Sequence, residues 1–263
     1  MNEPAANYPH RGQTPGSDPR AIAVTGASRG IGAAIALELA RRGFRVGCLS
    51  RKGVGPEGAD VPPELARRLF NFACDVTDEA STRTALAQFA VAAGGLHGLV
   101  NNAGIHLEGA SDRLETSVFE TVMKTNATAV FTTSREAYPH LVKSGGGIIV
   151  NIGSFYDKIG VKRSLAYCAA KAAVGAITRC LAVEWASKAI SVVDVAPGYI
   201  ETDLNREALT QGPLKDYLAR RIPAGRHAGA DAIARMVAAI FCENIAFLTG
   251  ETIYVDGGQG IAH

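Results

Sequence analysis

From Arg20 onward, short apolar runs alternate with stretches in which apolar residues recur every three to four positions. The short runs predict strands buried on both faces, and the 3.6-residue period predicts helices packed against them. Residues 21–25, 45–49, 69–73, 98–101, 148–151, 190–195 and 252–255 read as seven strands. Residues 31–42, 79–93 and 164–186 read as helices, with Asp78 placed to cap the second. Ser117 and Glu120 have capping-box spacing at the start of a further helix running through Asn126 towards Pro139. Such alternation builds βαβ units. The expected fold is therefore α/β, a single-domain doubly wound Rossmann fold with a seven-stranded parallel sheet flanked by helices over residues 21–263. Residues 1–20 hold four prolines and little that could be buried, and are expected to be a flexible tail. Residues 199–225 interrupt the alternation with polar sequence and are expected to form a lid over a substrate.

Composition narrows the function classes without choosing one. The 263 residues suit one large α/β domain, and 47% hydrophobic with 20% charged residues is ample for a core. A net charge of +2 without a basic stripe gives no reason to expect nucleic acid as a partner. No stretch approaches 18 uninterrupted apolar residues and the start lacks an apolar signal core, so no membrane association is expected. Five scattered cysteines without a CxxC pair imply reduced thiols and a cytoplasmic location. His97, His106, His140 and His227 show no metal-ligand spacing and no partner arrangement; no metal site and no histidine catalysis are expected.

Chemistry concentrates at a few places. Gly26, Gly30 and Gly32 follow the first strand directly and open the next helix. Missing side chains permit the tight turn and bring backbone close to a pyrophosphate, while the helix start offers unpaired N–H groups to its charge. Arg29 lies inside this turn, and Arg51 follows the second strand. An acid closing that strand would bind the ribose hydroxyls of NAD, but Ser50 stands there, followed by two cations. Arginine forks suit a ribose 2′-phosphate, so the cofactor expected is NADP(H), with NAD(H) as the alternative. Tyr167 and Lys171 are one helical turn apart, so they share a helix face. A phenol is a poor proton relay at neutral pH unless a neighbouring cation stabilises its phenolate. Ser154 precedes Tyr167 by 13 positions and follows a strand.

The Thr25–Gly32 run, with Tyr167-Cys168-Ala169-Ala170-Lys171, resembles the classical short-chain dehydrogenase/reductase family, most like its 3-oxoacyl-(acyl-carrier-protein) reductases. The resemblance covers residues 21 to about 258. It implies hydride transfer between a nicotinamide and a carbonyl or secondary alcohol. Asn126, Ser154, Tyr167 and Lys171 would form the catalytic tetrad: Tyr167 as proton donor, Ser154 as the group orienting the carbonyl, Lys171 also binding the nicotinamide ribose, and Asn126 holding a water beside the lysine. Ser28 and Ile31 belong to the cofactor loop, Asp75 and Val76 would contact adenine, and Asn102, Ala103 and Gly104 would lie against the cofactor. Pro197 and Gly198 match the turn at the nicotinamide end, with Ile200 and Thr202 contacting carboxamide and phosphate. The substrate expected is a small carbonyl or alcohol, carrier-protein- or CoA-linked acyl groups included. An NAD-dependent alcohol, sugar or steroid dehydrogenase and a catalytically silent dinucleotide-binding regulator are the alternatives. A homotetramer with twofold axes is also implied, helped by residues 164–186, where Leu181 and Val183 need cover. Asp194 departs from the family pattern in strand six, and a carboxylate there can alter hydrogen bonding behind the site.

Overall fold

Every apolar run of the alternating pattern joins the same sheet. The computed structural model describes residues 19–58, 60–202 and 211–262. In chain order the elements are β1 (Ala21–Thr25), α1 (Gly30–Arg41), β2 (Arg45–Ser50), α2 (Pro63–Ala66), β3 (Leu69–Ala73), α3 (Glu79–Ala92) and β4 (Gly98–Asn101). There follow α4 (Thr116–Met123), a π-helical turn (Lys124–Thr128), α5 (Ala129–Lys143), β5 (Gly147–Ile152), α6 (Leu165–Trp185) and β6 (Ile190–Pro197). The last elements are β7 (Ile200–Glu201), α7 (Gly212–Arg221), β8 (Ala228–Gly229), α8 (Ala230–Glu243) and β9 (Thr252–Val255). Seven strands pair in parallel in the order β3-β2-β1-β4-β5-β6-β9, and β7 and β8 form a separate two-stranded piece. The winding direction reverses between β1 and β4, which opens a crevice at the carboxyl ends of the strands.

Successive strand residues point to opposite faces, so the sheet is buried twice. On one face Ile22, Val24, Val46, Val100 and Val193 pack with Ile35 and Leu39 of α1 and Val237 and Phe241 of α8. On the other, Ala23, Leu49, Leu99, Ile149 and Val192 pack with Leu86 and Phe89 of α3, Leu141 of α5 and Leu181 of α6. Asp78 caps α3 as expected, accepting from the amides of Ala80 (2.9 Å) and Ser81 (3.4 Å).

Three expectations need correction. The Ser117/Glu120 capping box does not form: Glu115 is the N-cap and makes no side-chain cap bond, while the Ser117 carbonyl receives the Thr121 hydroxyl at 2.6 Å. The helix through Asn126 is broken by the π turn and then continues past Pro139 to Lys143. Pro139 itself is exposed. Leu181 already lies in the core and needs no partner; of the two it is Val183, 82% exposed, that lacks cover. Smaller differences sit at element ends, where β2, β5 and β6 run one or two residues further than their apolar runs. The expected tail lies outside the described residues except for Pro19 and Arg20, and so do residues 203–210 of the expected lid at 199–225.

Among the described residues, Leu165–Lys188 is the one helical segment long and apolar enough to cross a membrane. Its inner face packs on the sheet and it carries Tyr167 and Lys171, which marks it as the core helix of an α/β fold.

Candidate active site

The crevice at the strand ends is a cleft of about 650 Å³. Ser154, Tyr167 and Lys171 all line it, with Ile31, Asn102, Gly104, Pro197, Gly198, Ile200 and Thr202 from the predicted cofactor set. A smaller cavity of about 140 Å³ lies between Arg20, His97 and Ser191 at the amino ends of β1, β4, β5 and β6, and no predicted site residue lines it.

The glycine turn has the predicted form. Gly26 (φ +66°) and Gly30 (φ +56°) occupy the left-handed region. Gly32 lies so close to the turn that a Cβ there would sit 2.2 Å from the Gly26 carbonyl oxygen. Helix α1 starts with Arg29 as N-cap, without a side-chain cap bond and without an acid in its first turn. Its first N–H groups therefore keep their capacity for an anion. Thr202 Cγ2 would lie 3.5 Å from a Cβ on Gly30, so this threonine sits beside the same helix start. Ser28 receives the Glu57 amide on its carbonyl (2.8 Å), which folds the loop after β2 against the turn. These residues fit a dinucleotide: an uncapped helix start, two left-handed glycines and a cleft leading from them to Tyr167.

Beside the turn, Asn102 donates to the carbonyls of Thr25 (2.9 Å) and Gly26 (3.2 Å), and the Asn102 and Ala103 amides donate to Thr25 Oγ1 (3.0 and 3.1 Å). Asn101 donates to Asn151 Oδ1 and Ser134 Oγ, each at 2.9 Å, tying β4 to β5 and α5. Arg29 and Arg51 are exposed. Asp75 accepts from the Thr77 amide (2.9 Å) and hydroxyl (2.8 Å), and these bonds, helped by the Arg51 charge, hold its carboxyl below the usual range. Arg51, Asp75 and the half-buried Val76 follow β2 and β3 and do not line the cleft.

Lys171 is buried, 6% exposed, and donates to the Ile152 carbonyl at 2.6 Å. Its Nζ lies 5.5 Å from the centre of the Tyr167 ring. Ser154, 7% exposed, opens a short 3₁₀ turn and accepts weakly from the Tyr156 amide at 3.3 Å. Asn126 sits in the π turn, a helical irregularity often found at functional sites, and does not line the cleft. Its Oδ1 accepts from the Ile105 amide (2.8 Å) and its Nδ2 donates to the Ile105 carbonyl (2.7 Å).

Two contributors lie in loops expected to wall the pocket (105–111, 155–163 and 199–225) but drew no individual role from the sequence. His106 was set aside for lack of a partner, yet it lines the cleft. Its ring lies 4.5 Å from the Tyr167 ring, and its Nε2 is 3.1 Å from Ser164 Oγ. The available signal was its place just after Asn102-Ala103-Gly104; its partners lie about sixty residues on. The second is the pair Tyr156 and Tyr199, whose hydroxyls meet at 2.9 Å in the cleft wall. Burial and this bond push the Tyr156 phenol upward, so it stays protonated.

Comparison with known proteins agrees with the geometry. Residues 26–259 match the family described as enoyl-(acyl carrier protein) reductase. The 3-oxoacyl-(acyl-carrier-protein) reductase FabG of Escherichia coli is 38% identical over 236 residues, covering 90% of this chain and 95% of that protein. D-threitol dehydrogenase of Mycolicibacterium smegmatis is 31% identical, covering 93% and 94%. A crystal structure from Agrobacterium tumefaciens with bound NADP superposes with a TM-score of 0.79 at 32% identity, covering 91% and 96%. The chain belongs to the short-chain dehydrogenase/reductase family, most like its 3-oxoacyl-(acyl-carrier-protein) reductases, and is an oxidoreductase of carbonyl and alcohol groups with a nicotinamide dinucleotide as cofactor.

Proposed function

We propose that this chain is an NADPH-dependent carbonyl reductase in which Tyr167 gives the proton, Ser154 receives the carbonyl oxygen and Lys171 serves both Tyr167 and the nicotinamide ribose. The observation that carries this reading is a buried ammonium beside the Tyr167 ring, in one cleft with the Ser154 hydroxyl. Bound NADPH supplies the hydride that reduces the carbonyl carbon. Because Ser154 only accepts a weak bond within the protein, its hydroxyl proton is left to donate to the substrate oxygen as negative charge develops there. Tyr167 then gives its proton to that oxygen. Lys171 has three N–H donors and spends one on Ile152, leaving the others for the ribose and the phenolic oxygen. Asn126 has both side-chain groups committed to Ile105, so its side chain contributes by fixing the segment that carries His106.

For the cofactor, Gly26, Ser28, Gly30, Ile31 and Gly32 would hold the pyrophosphate. Asp75 and Val76 would meet adenine, Asn102, Ala103 and Gly104 the central part, and Pro197, Gly198, Ile200 and Thr202 the nicotinamide end. The preference for NADPH rests on β2. Ser50 donates to the Val54 carbonyl (2.7 Å) and accepts from the Val54 amide (3.0 Å), so its hydroxyl is occupied within its own turn. No acid stands there to take ribose hydroxyls, while Arg29 and Arg51 are exposed for a 2′-phosphate.

The substrate favoured is a 3-oxoacyl group on a carrier protein or coenzyme A, reduced in the cytoplasm. Association into a homotetramer is part of the reading: Val183 and Leu165 on α6, with Phe131 and Val142 on α5, are large apolar side chains exposed on the single chain. The test is kcat/KM with NADPH and with NADH on a panel of ketones and 3-oxoacyl thioesters. Reduction at least tenfold better with NADPH is expected; a preference for NADH would overturn the cofactor assignment.

A further inference from the structure

Asp194 is a buried titratable group that the scheme above does not use. It lies on β6 between Val193 and Val195 with no exposed surface. One carboxyl oxygen, Oδ2, accepts from Thr252 Oγ1 of β9 at 3.3 Å; the other, Oδ1, is buried without a hydrogen-bond partner. An ionised carboxylate is costly in such a place unless something compensates it.

The position of this carboxyl is specific. Gly153 lies so close that a Cβ on it would stand 2.5 Å from both oxygens. Gly153 is the residue between Ile152, whose carbonyl takes the Lys171 ammonium, and Ser154. The carboxyl therefore packs against the short backbone segment that positions both groups. The groups facing it from neighbouring elements are few. Lys171 on α6 is the cation whose field favours the carboxylate, Asp157 in the turn after β5 opposes it, and Tyr254 on β9 lies within its field. Asp157 is in turn bonded by Tyr254 at 2.7 Å, and Lys158 Nζ lies 3.4 Å from the centre of the Tyr254 ring.

We propose that Asp194 is a positioning residue that acts through Lys171, a buried counter-charge that holds the ammonium against Ile152 and makes turnover depend on the protonation of the Asp194 carboxyl. The inference rests on the role proposed for Lys171. Burial drives the carboxyl up to about 6, with Lys171 pulling it back, so its charge changes within the range in which enzymes are assayed. Coupling is reciprocal: whatever Lys171 does to Asp194, Asp194 does to Lys171.

An unfolded aspartate ionises near about 3.9, and this one near about 6 in the folded chain. The folded chain is favoured while the carboxyl is protonated in both states, and it loses that advantage as pH rises from about 4 through about 6. The melting temperature of the native chain should fall over this window by more than that of Asp194→Asn.

Two measurements test the proposal. In pH profiles of kcat, the native enzyme should rise at least threefold between pH 5 and pH 7, and Asp194→Asn should lack that rise while keeping its fold at pH 5. The same rise in both proteins would overturn the proposal. Carboxyl NMR titration of Asp194 in the native chain and in Lys171→Met needs neither turnover nor an Asp194 variant. Loss of the ammonium should raise the Asp194 midpoint by at least half a pH unit; an unchanged midpoint would overturn the coupling even in an active enzyme. Failure of the carbonyl-reductase reading would appear separately, as absence of turnover in a chain whose Asp194 midpoint still responds.

Discussion

The two ends of the cleft are built in different ways. The end proposed for the dinucleotide is built largely of backbone: the eight-residue turn from Thr25 to Gly32, which reaches the cleft through Ile31, plus strand ends that follow from the parallel order of the sheet. The end proposed for the substrate consists of side chains from distant segments, with His106, Tyr156, Tyr167 and Tyr199 meeting in one aromatic wall. A backbone site is constrained by where side chains must be missing, as at Gly32, so it tolerates little change. A side-chain wall can be altered residue by residue while the fold stays, which is why members of one family share a cofactor site and differ in substrate. Lys171 and Tyr167 stand at the junction and should answer to both ends.

That junction gives the largest expected effects. Lys171→Ala should lose roughly a hundredfold or more in kcat and also weaken NADPH binding, because on the proposed reading one ammonium serves the proton donor and the ribose. Stopped-flow turnover and fluorescence titration of NADPH separate the two, and an effect on rate alone would remove the ribose contact from the account. At the dinucleotide end, hydrogen bonds to charged groups contribute about 1.5–3 kcal/mol. Arg51→Ala should therefore reduce the NADPH-over-NADH preference in kcat/KM by about ten- to a hundredfold. If the preference stays, Arg29 alone carries the phosphate. At the substrate end, His106→Leu removes one polar partner from the wall without touching the backbone. A rise in KM for substrate of about two- to tenfold is expected, with NADPH affinity unchanged. A matching loss of NADPH affinity would mean that the two ends are not separable as described.

The same division explains how much the sequence disclosed. The seven strands of the main sheet and their parallel pairing were legible because each buried strand is a continuous apolar run; the ends extended by Ser50, Gly147, Ile152 and Pro197 and the short β7–β8 pair were not. The glycine turn and the Ser154, Tyr167, Lys171 spacing were legible because each is local or follows one strand–helix unit. The Ser117 capping box was misread because the spacing of two residues cannot say which residue turns the chain, and Glu115 does so. The π turn around Asn126 leaves no mark in a pattern of period 3.6. His106 drew no individual role because its contacts with Ser164 and Tyr167 are made by folding, not by spacing. Asp194 was noticed as an anomaly, but its contact with Gly153 exists only across the β5–β6 pair.

The most direct test is Tyr167→Phe, which deletes one hydroxyl at the junction and leaves the ring in contact with His106. Single-turnover oxidation of bound NADPH by a ketone substrate should slow by roughly 10²–10⁴-fold, the usual value of a positioned general acid, while the NADPH dissociation constant stays within about threefold of the native enzyme. Turnover near the native rate, with NADPH bound normally, would contradict the assignment of Tyr167 as the proton donor.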